Sequence, residues 1–231
     1  MVTPHERETA MTKDQPCPTT GTAADFLPRK ITLKTLTTAA QGCRGCNLYC
    51  NATQAVFGAG PRHASLLLVG EQPGDQEDKA GRPFVGPAGR VLDESLQAAG
   101  ISRDKVYVTN AVKHFKWEPR GKRRLHAKPT WTEIVACRPW LMAELTLIQP
   151  DVVVCLGATA AQSLMGKTFR LTQHRQEVMH TAAGQVLLAT VHPSSLLRIP
   201  DHDARVAARA AFIDDLKFAA QRAKQPGIRK R

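Results

Sequence analysis

Four short apolar runs constrain this chain more than any other feature: 65–70 (SLLLVG), 105–110 (KVYVTN), 151–156 (DVVVCL) and 186–190 (VLLAT). Each is a nearly unbroken hydrophobic stretch, the pattern of a strand buried on both faces in a parallel sheet. Helical patterns alternate with them. Residues 87–99 repeat apolar side chains at Val91, Leu92, Leu96 and Ala99, and Gly100 suits a C-terminal cap. Thr132 is placed to cap a helix running to about Ile148, before Pro150 stops it. Further helices are expected at 158–165, after Gly157, and at 204–222.

Alternating strands and helices imply a three-layer α/β/α fold around a central, mainly parallel four-stranded sheet. The chain has 231 residues and 42% hydrophobic composition, enough for one core. The expected organisation is a flexible tail over 1–30, a single domain over 31–222, and a basic tail over 223–231. No internal repeat stands out. No stretch approaches the roughly 18 apolar residues of a membrane span, and no secretory pattern opens the chain. A soluble, cytoplasmic, monomeric protein is the expectation. Ligands of such sheets sit at the carboxyl ends of the strands. The polar segments 70–78, 110–114 and 192–198 each follow a strand, so three reactive segments should share one rim.

Lysine and arginine number 32 against 20 acidic residues, a formal charge of +12 that favours a polyanion such as nucleic acid. The excess is concentrated in 113–128 (KHFKWEPRGKRRLHAK) and again in 217–231. Nothing matches the glycine-rich phosphate loops of nucleotide-binding enzymes. Six cysteines in an intracellular chain argue against a disulfide framework. Cys43-x-x-Cys46 has metal-ligand spacing, because two thiolates two residues apart can close on one ion or cluster. Cys155 lies within an apolar strand and reads as a small core residue.

In order along the chain, Gly70-Glu71-Gln72-Pro73-Gly74, Pro83-Phe84-Val85-Gly86, Asn110-x-x-Lys113 and His192-Pro193-Ser194 resemble the motifs of the iron–sulfur uracil-DNA glycosylases of family 4. The segment from Lys122 to His126 (KRRLH) is similar to the signature loop of the UdgX subgroup. The resemblance runs from about residue 35 to 220. It implies the glycosylase fold and excision of uracil from DNA, with single-stranded DNA the preferred partner.

Breaking a C1′–N1 bond leaves positive charge on the sugar and negative charge on the base, which must first leave the stack. The resemblance makes Phe84 the stacking surface. Asn110 becomes the reader, its amide donating to uracil O4 and accepting from N3–H, a pattern cytosine reverses. His192 would hydrogen-bond O2 as charge gathers there. Glu71 can position a water, stabilise the cation, or orient and deprotonate a histidine. Gln72 and Asp75 would complete the polar wall, and Gly70 lets backbone approach the ligand. Ser194, Ser195 and Arg198 are expected on a DNA phosphate, as are Lys122, Arg123 and Arg124. The UdgX likeness further implies that His126 attacks C1′ and leaves the protein covalently bound after one turnover. A conventional glycosylase that turns over many times is the alternative, and a non-catalytic DNA-binding protein a more distant one.

The resemblance also implies a structural four-iron, four-sulfur cluster. Cys43, Cys46 and Cys137 match three of the family's four cysteine positions; the fourth is His114 here, and histidine does replace cysteine in some iron–sulfur centres. Cys50 or Cys17 is the alternative fourth ligand.

Overall fold

The apolar runs do form the parallel strands expected of them, in a computed structural model that describes residues 17, 19, 21–181 and 184–224. In chain order the strands are β1 (Leu66–Gly70), β2 (Val106–Asn110), β3 (Trp117–Arg120), β4 (Arg123–His126), β5 (Val152–Leu156), β6 (Met179–His180) and β7 (Val186–Thr190). The helices are α1 (Leu33–Gln41), α2 (Asp75–Ala80), α3 (Pro87–Ala98), α4 (Trp131–Ile148), α5 (Ala158–Met165), α6 (Leu171–His174), α7 (Pro193–Leu196) and α8 (His202–Lys224).

The central sheet has the order β2-β1-β5-β7-β6. The four expected strands pair in parallel, and β6 adds a fifth, antiparallel one at the edge. At two residues, β6 is too short to show an apolar period. Side chains alternate across the sheet as the pleat requires. Leu67, Val69, Val153, Cys155 and Leu187 pack against Leu141 and Leu145 of α4 and Ala160 and Ala161 of α5. Leu66, Leu68, Val152, Val154 and Leu188 pack against Leu92 and Leu96 of α3 and Phe212 and Leu216 of α8. Both faces are thus covered, giving the three layers, and Cys155 is a fully buried core residue.

A third cluster joins the N-terminal segment to α4: Leu36, Ala40, Cys43, Leu48 and Phe57 meet Ile134, Cys137 and Trp140. It reaches back beyond residue 31. Thr22 and Asp25 form a reciprocal capping box on a short 3₁₀ turn, Ala23–Phe26, and Ala23 is buried in the cluster. Residues 22–26, expected in the tail, therefore pack against the domain. The remaining tail expectations, over 1–16 and 225–231, lie outside the described residues.

Three local expectations change. Helix α4 is capped by Thr130, not Thr132. Thr130 has Glu133 three residues on, and the two exchange hydrogen bonds in a capping box. The KRRLH segment is not a loop but the second strand of a hairpin, β3–β4, turned by Gly121 at φ +57°. Finally, Cys17 and Cys50 are paired in a disulfide with Cα atoms 6.4 Å apart, where none was expected.

Candidate active site

The chain passes from β1 to β2 on one side and returns past β1 to β5 on the other, so loops leaving β1 and β5 diverge at their carboxyl ends. A cavity of about 690 Å³ opens on this rim, the position expected for a ligand site in an open parallel sheet. It gathers Glu71, Gln72, Asp75, Phe84, Asn110, His126, His192, Ser194 and Arg198 from segments distant in sequence.

Asn110 closes β2 and is 3% exposed. Its backbone is held from beneath: the Lys113 ammonium donates to the Asn110 carbonyl (2.8 Å), to Thr109 Oγ1 (2.7 Å) and to Glu144 Oε2 (2.5 Å). Tyr107 donates to the other Glu144 oxygen at 2.9 Å. Lys113 and Glu144 are almost completely buried, so each charge depends on the other. Gly70 lies beside the Asn110 amide, where a Cβ would come within 2.3 Å of Asn110 Oδ1 and 2.7 Å of Phe84 Cζ. Phe84 adopts φ +56°, a left-handed conformation that costs a residue with a Cβ. Glu77 holds that turn: its carboxylate accepts from Gly86 N–H at 2.6 Å and from Gly74 N–H at 3.2 Å, joining the two glycine-rich loops.

The Phe84 ring stacks with His192, centroids 6.2 Å apart and planes inclined by 29°. His192 caps α7: its Nδ1 accepts from Ser194 N–H at 3.2 Å. A ring nitrogen that accepts a backbone N–H carries no proton, so the neutral ring holds its hydrogen on Nε2. Burial pushes its pKa down to about 4, helped by the charges of His126 and Arg198. His192 is therefore a neutral donor at physiological pH.

Glu71 bridges two partners. Its Oε2 accepts from Thr159 Oγ1 at 2.5 Å, and its Oε1 lies 3.5 Å from His126 Nε2. His126 is half exposed at the cavity mouth, its ring against Phe115.

The hairpin that carries His126 is fastened by residues expected to serve other ends. Gln72 spends its amide on backbone: Nε2 donates to the carbonyls of Lys116 and Ala127, and Oε1 accepts from Lys116 N–H. It lines the cavity but clamps the two ends of the hairpin together. Arg124 was expected on a phosphate; instead its guanidinium turns inward to Asp75 and Asp78, both at 2.6 Å. It lies over the Phe115 and Trp117 rings as well. A planar cation with two carboxylates in reach has no reason to stay in water. Asp75 is correspondingly committed to Arg124 and Lys79. Lys122 and Arg123 are exposed at the hairpin tip. The Ser195 hydroxyl donates to the His192 carbonyl within α7, while Ser194 Oγ pairs with His192 Nδ1 and accepts from Arg198.

The cysteine site lies between the N-terminal segment and α4. Cys43 Sγ accepts from the Trp140 indole N–H at 3.3 Å, and Cys137 Sγ accepts from Lys113 N–H at 3.2 Å. Burial pushes Cys46 up to about 11 and Cys137 up to about 12, and the charges of the three sulfurs act on one another. The N–H donors to Cys43 and Cys137 suit sulfurs that ligate a metal centre. Yet among the described residues no three His, Cys, Asp or Glu side chains are drawn together into a ligand set. His114 is buried, its pKa pushed down to about 4 by desolvation against the opposing charge of Asp78. Cys17 and Cys50 are occupied with each other.

Thr159, Glu77, Asp78 and Glu144 escaped the sequence reading. The acidic run after Gly74 was visible, but nothing local tells which carboxylate turns inward, and Thr159 looks like an ordinary helix residue.

The sequence model of the Uracil DNA glycosylase superfamily matches residues 57–217. Among curated proteins, a type-4 uracil-DNA glycosylase of Thermotoga maritima is 38% identical over 186 residues, covering 80% of this chain and 91% of its own. Type-4 enzymes of Archaeoglobus fulgidus (37% identical; 68% and 79% covered) and Pyrobaculum aerophilum (35%; 76% and 87%) are similar as well.

Proposed function

The chain belongs to the uracil-DNA glycosylase superfamily, and from that premise we propose that it excises uracil from DNA and then joins itself to the abasic sugar through His126. The observation that carries the second half is the placement of His126 Nε2 3.5 Å from Glu71 Oε1, at the mouth of the cavity that holds Asn110, Phe84 and His192.

An extruded uracil stacks on Phe84 and presents its O4 and N3–H edge to the Asn110 amide. Lys113 fixes the Asn110 backbone, so the amide is aimed before the base arrives. As the C1′–N1 bond breaks, both electrons leave with the base. His192 Nε2–H donates to the O2 on which that charge collects, its tautomer already set by Ser194. Glu71 offers its negative charge to the sugar cation.

Two nucleophiles can then reach C1′. Water gives a free abasic site. His126, attacking as its unprotonated imidazole, gives a covalent complex: a ring-nitrogen lone pair forms the C1′–N bond, and the resulting imidazolium releases its remaining N–H proton to solvent. An N-alkyl imidazole is a poor leaving group, so each molecule acts once.

Lys122 and Arg123 grip phosphates at the hairpin tip, with Ser194 and Arg198 on the opposite lip, and a single-stranded substrate avoids the cost of unpairing. Arg124, Gln72 and Asp75 hold the hairpin rather than the DNA. The protein acts as a monomer. Cys43, Cys46 and Cys137, with His114 as fourth ligand, would hold a four-iron, four-sulfur cluster that ties the N-terminal segment to α4 and to the loop after β2, with no electrons exchanged. Among the described residues no helix is long and apolar enough to cross a membrane; a DNA substrate is what would place the protein's work in the cytoplasm.

The test is to mix protein with a uracil-containing single-stranded oligonucleotide and run a denaturing gel, beside His126→Ala and a thymine control. A heat-stable shifted band that requires uracil and His126 is expected. Alkali-cleavable abasic product in excess of enzyme, with no shifted band, would establish the turning-over alternative.

A further inference from the structure

We propose that Thr159 is a positioning residue for Glu71 in the covalent step, and that its hydroxyl decides how the sugar cation divides between His126 and water. The inference rests on the reading of His126 given above.

Glu71 leaves the end of β1 and Thr159 stands in the first turn of α5, just past the end of β5. These strands are parallel neighbours, and the cavity lies where their loops part. The Thr159–Glu71 hydrogen bond spans that crevice. One carboxylate serves both sides: Oε2 accepts from Thr159 at 2.5 Å, and Oε1 is turned toward His126 Nε2 at 3.5 Å.

A terminal carboxylate torsion is broad and roughly two-fold, so geometry at Cβ and Cγ does not fix where the two oxygens point. A donor on one oxygen does. Thr159 is 3% exposed, so water is largely kept from its hydroxyl, whereas Glu71 is about one-fifth exposed and would otherwise exchange partners with solvent.

The ordinary alternative for a threonine in a first helical turn is to satisfy that helix's own backbone. Here α5 has glycine at its N-cap and no side-chain cap bond, and the Thr159 hydroxyl goes across to β1's loop. The same β5–α5 turn also seats His192: Gly157 has φ +94°, and a Cβ there would lie 3.1 Å from His192 Cβ. One turn therefore sets both the donor to the leaving base and the carboxylate beside the nucleophile.

In the reaction Thr159 neither gains nor loses a proton. It holds Glu71 so that the negative charge faces C1′ and then the imidazolium forming on His126, favouring capture by nitrogen over capture by water. Removing the hydroxyl lets the carboxylate rotate away and should slow the covalent step without weakening DNA binding.

The experiment compares wild type, Thr159→Val and Thr159→Ser under single-turnover conditions with a uracil-containing single-stranded oligonucleotide. It measures uracil release, the covalent band and free abasic DNA, together with affinity for a thymine-containing strand and Tm. Thr159→Val conserves shape and should fold. The expected result is covalent bond formation slowed roughly tenfold or more, the size of one hydrogen bond to a charged group. The product balance should move toward free abasic DNA, with strand affinity and Tm close to wild type. Thr159→Ser should return within about threefold of wild type. Wild-type behaviour in Thr159→Val overturns the proposal, and so does Thr159→Ser failing as badly as valine, which would assign the residue to packing alone. A wild-type protein that gives no covalent band overturns the His126 reading itself, and this inference with it.

Discussion

Gly70→Ala is the sharpest probe of where uracil sits, because the structure says what one methyl group would displace. The new Cβ would lie 2.3 Å from Asn110 Oδ1 and 2.7 Å from Phe84 Cζ, where ordinary contact begins near 3.4 Å. To recover 3.4 Å the amide must retreat about 1.1 Å and the phenyl edge about 0.7 Å. Both groups are the proposed readers of the base, and a displacement of about 1 Å in a positioning group costs on the order of 100-fold in rate. That corresponds to roughly 2.7 kcal/mol of barrier. Gly70 is an ordinary strand residue without a positive φ, so the backbone itself tolerates alanine, and the stability cost is that of displacing the two buried side chains, about 1–3 kcal/mol. The assay is single-turnover uracil release with enzyme in excess, scoring free and covalent product together, with strand affinity measured separately. Affinity should hold, since phosphate contacts dominate it. Release within about threefold of wild type from folded protein would refute the reasoning, for the gap beside Gly70 would then not be the base slot.

The two arginines of the hairpin should separate. Arg123→Ala should lower strand affinity and flatten its salt dependence by about one unit of slope, whereas Arg124→Ala should leave the slope intact and cut covalent yield, because its partners are Asp75 and Asp78; titrations at several salt concentrations distinguish them. Glu144→Ala strands the buried Lys113 charge and should cost about 3–5 kcal/mol, visible as a Tm fall on the order of 10 °C in thermal denaturation. His192, whose folded pKa is depressed to about 4, takes up protons more readily unfolded. Its contribution to stability is complete above about 6.5 and is lost as pH falls toward 4. Denaturant unfolding of His192→Gln against wild type should show a smaller loss across that window. For the cysteine site, iron content and visible absorbance should collapse in Cys137→Ala and His114→Ala and survive in Cys50→Ala; loss confined to Cys50→Ala would move the fourth ligand there.

What the sequence determined by itself were the features whose cause is local. The four continuous apolar runs could be satisfied only by burial on both faces, which set the parallel sheet and its two covering layers. Strand ends then put Glu71, Asn110 and His192 on one rim. The charge of the 113–128 segment was equally plain, though its form as a hairpin was not: β3 reads WEPR, with no alternation to mark it. Tertiary structure alone decided which polar groups face each other. Arg124 lies 49 residues from Asp75 and Gln72 lies 55 from Ala127, and an exposed run of three cations gives no local sign that one of them will turn inward. The hydroxyl of Thr159 meets Glu71 across 88 residues, a meeting fixed by the return of the chain past β1 rather than by anything near either residue. Apolar period acts over a few residues and can be read from them. Choice of a polar partner depends on which loops the sheet order brings together, and that is settled only when the strands have taken their places.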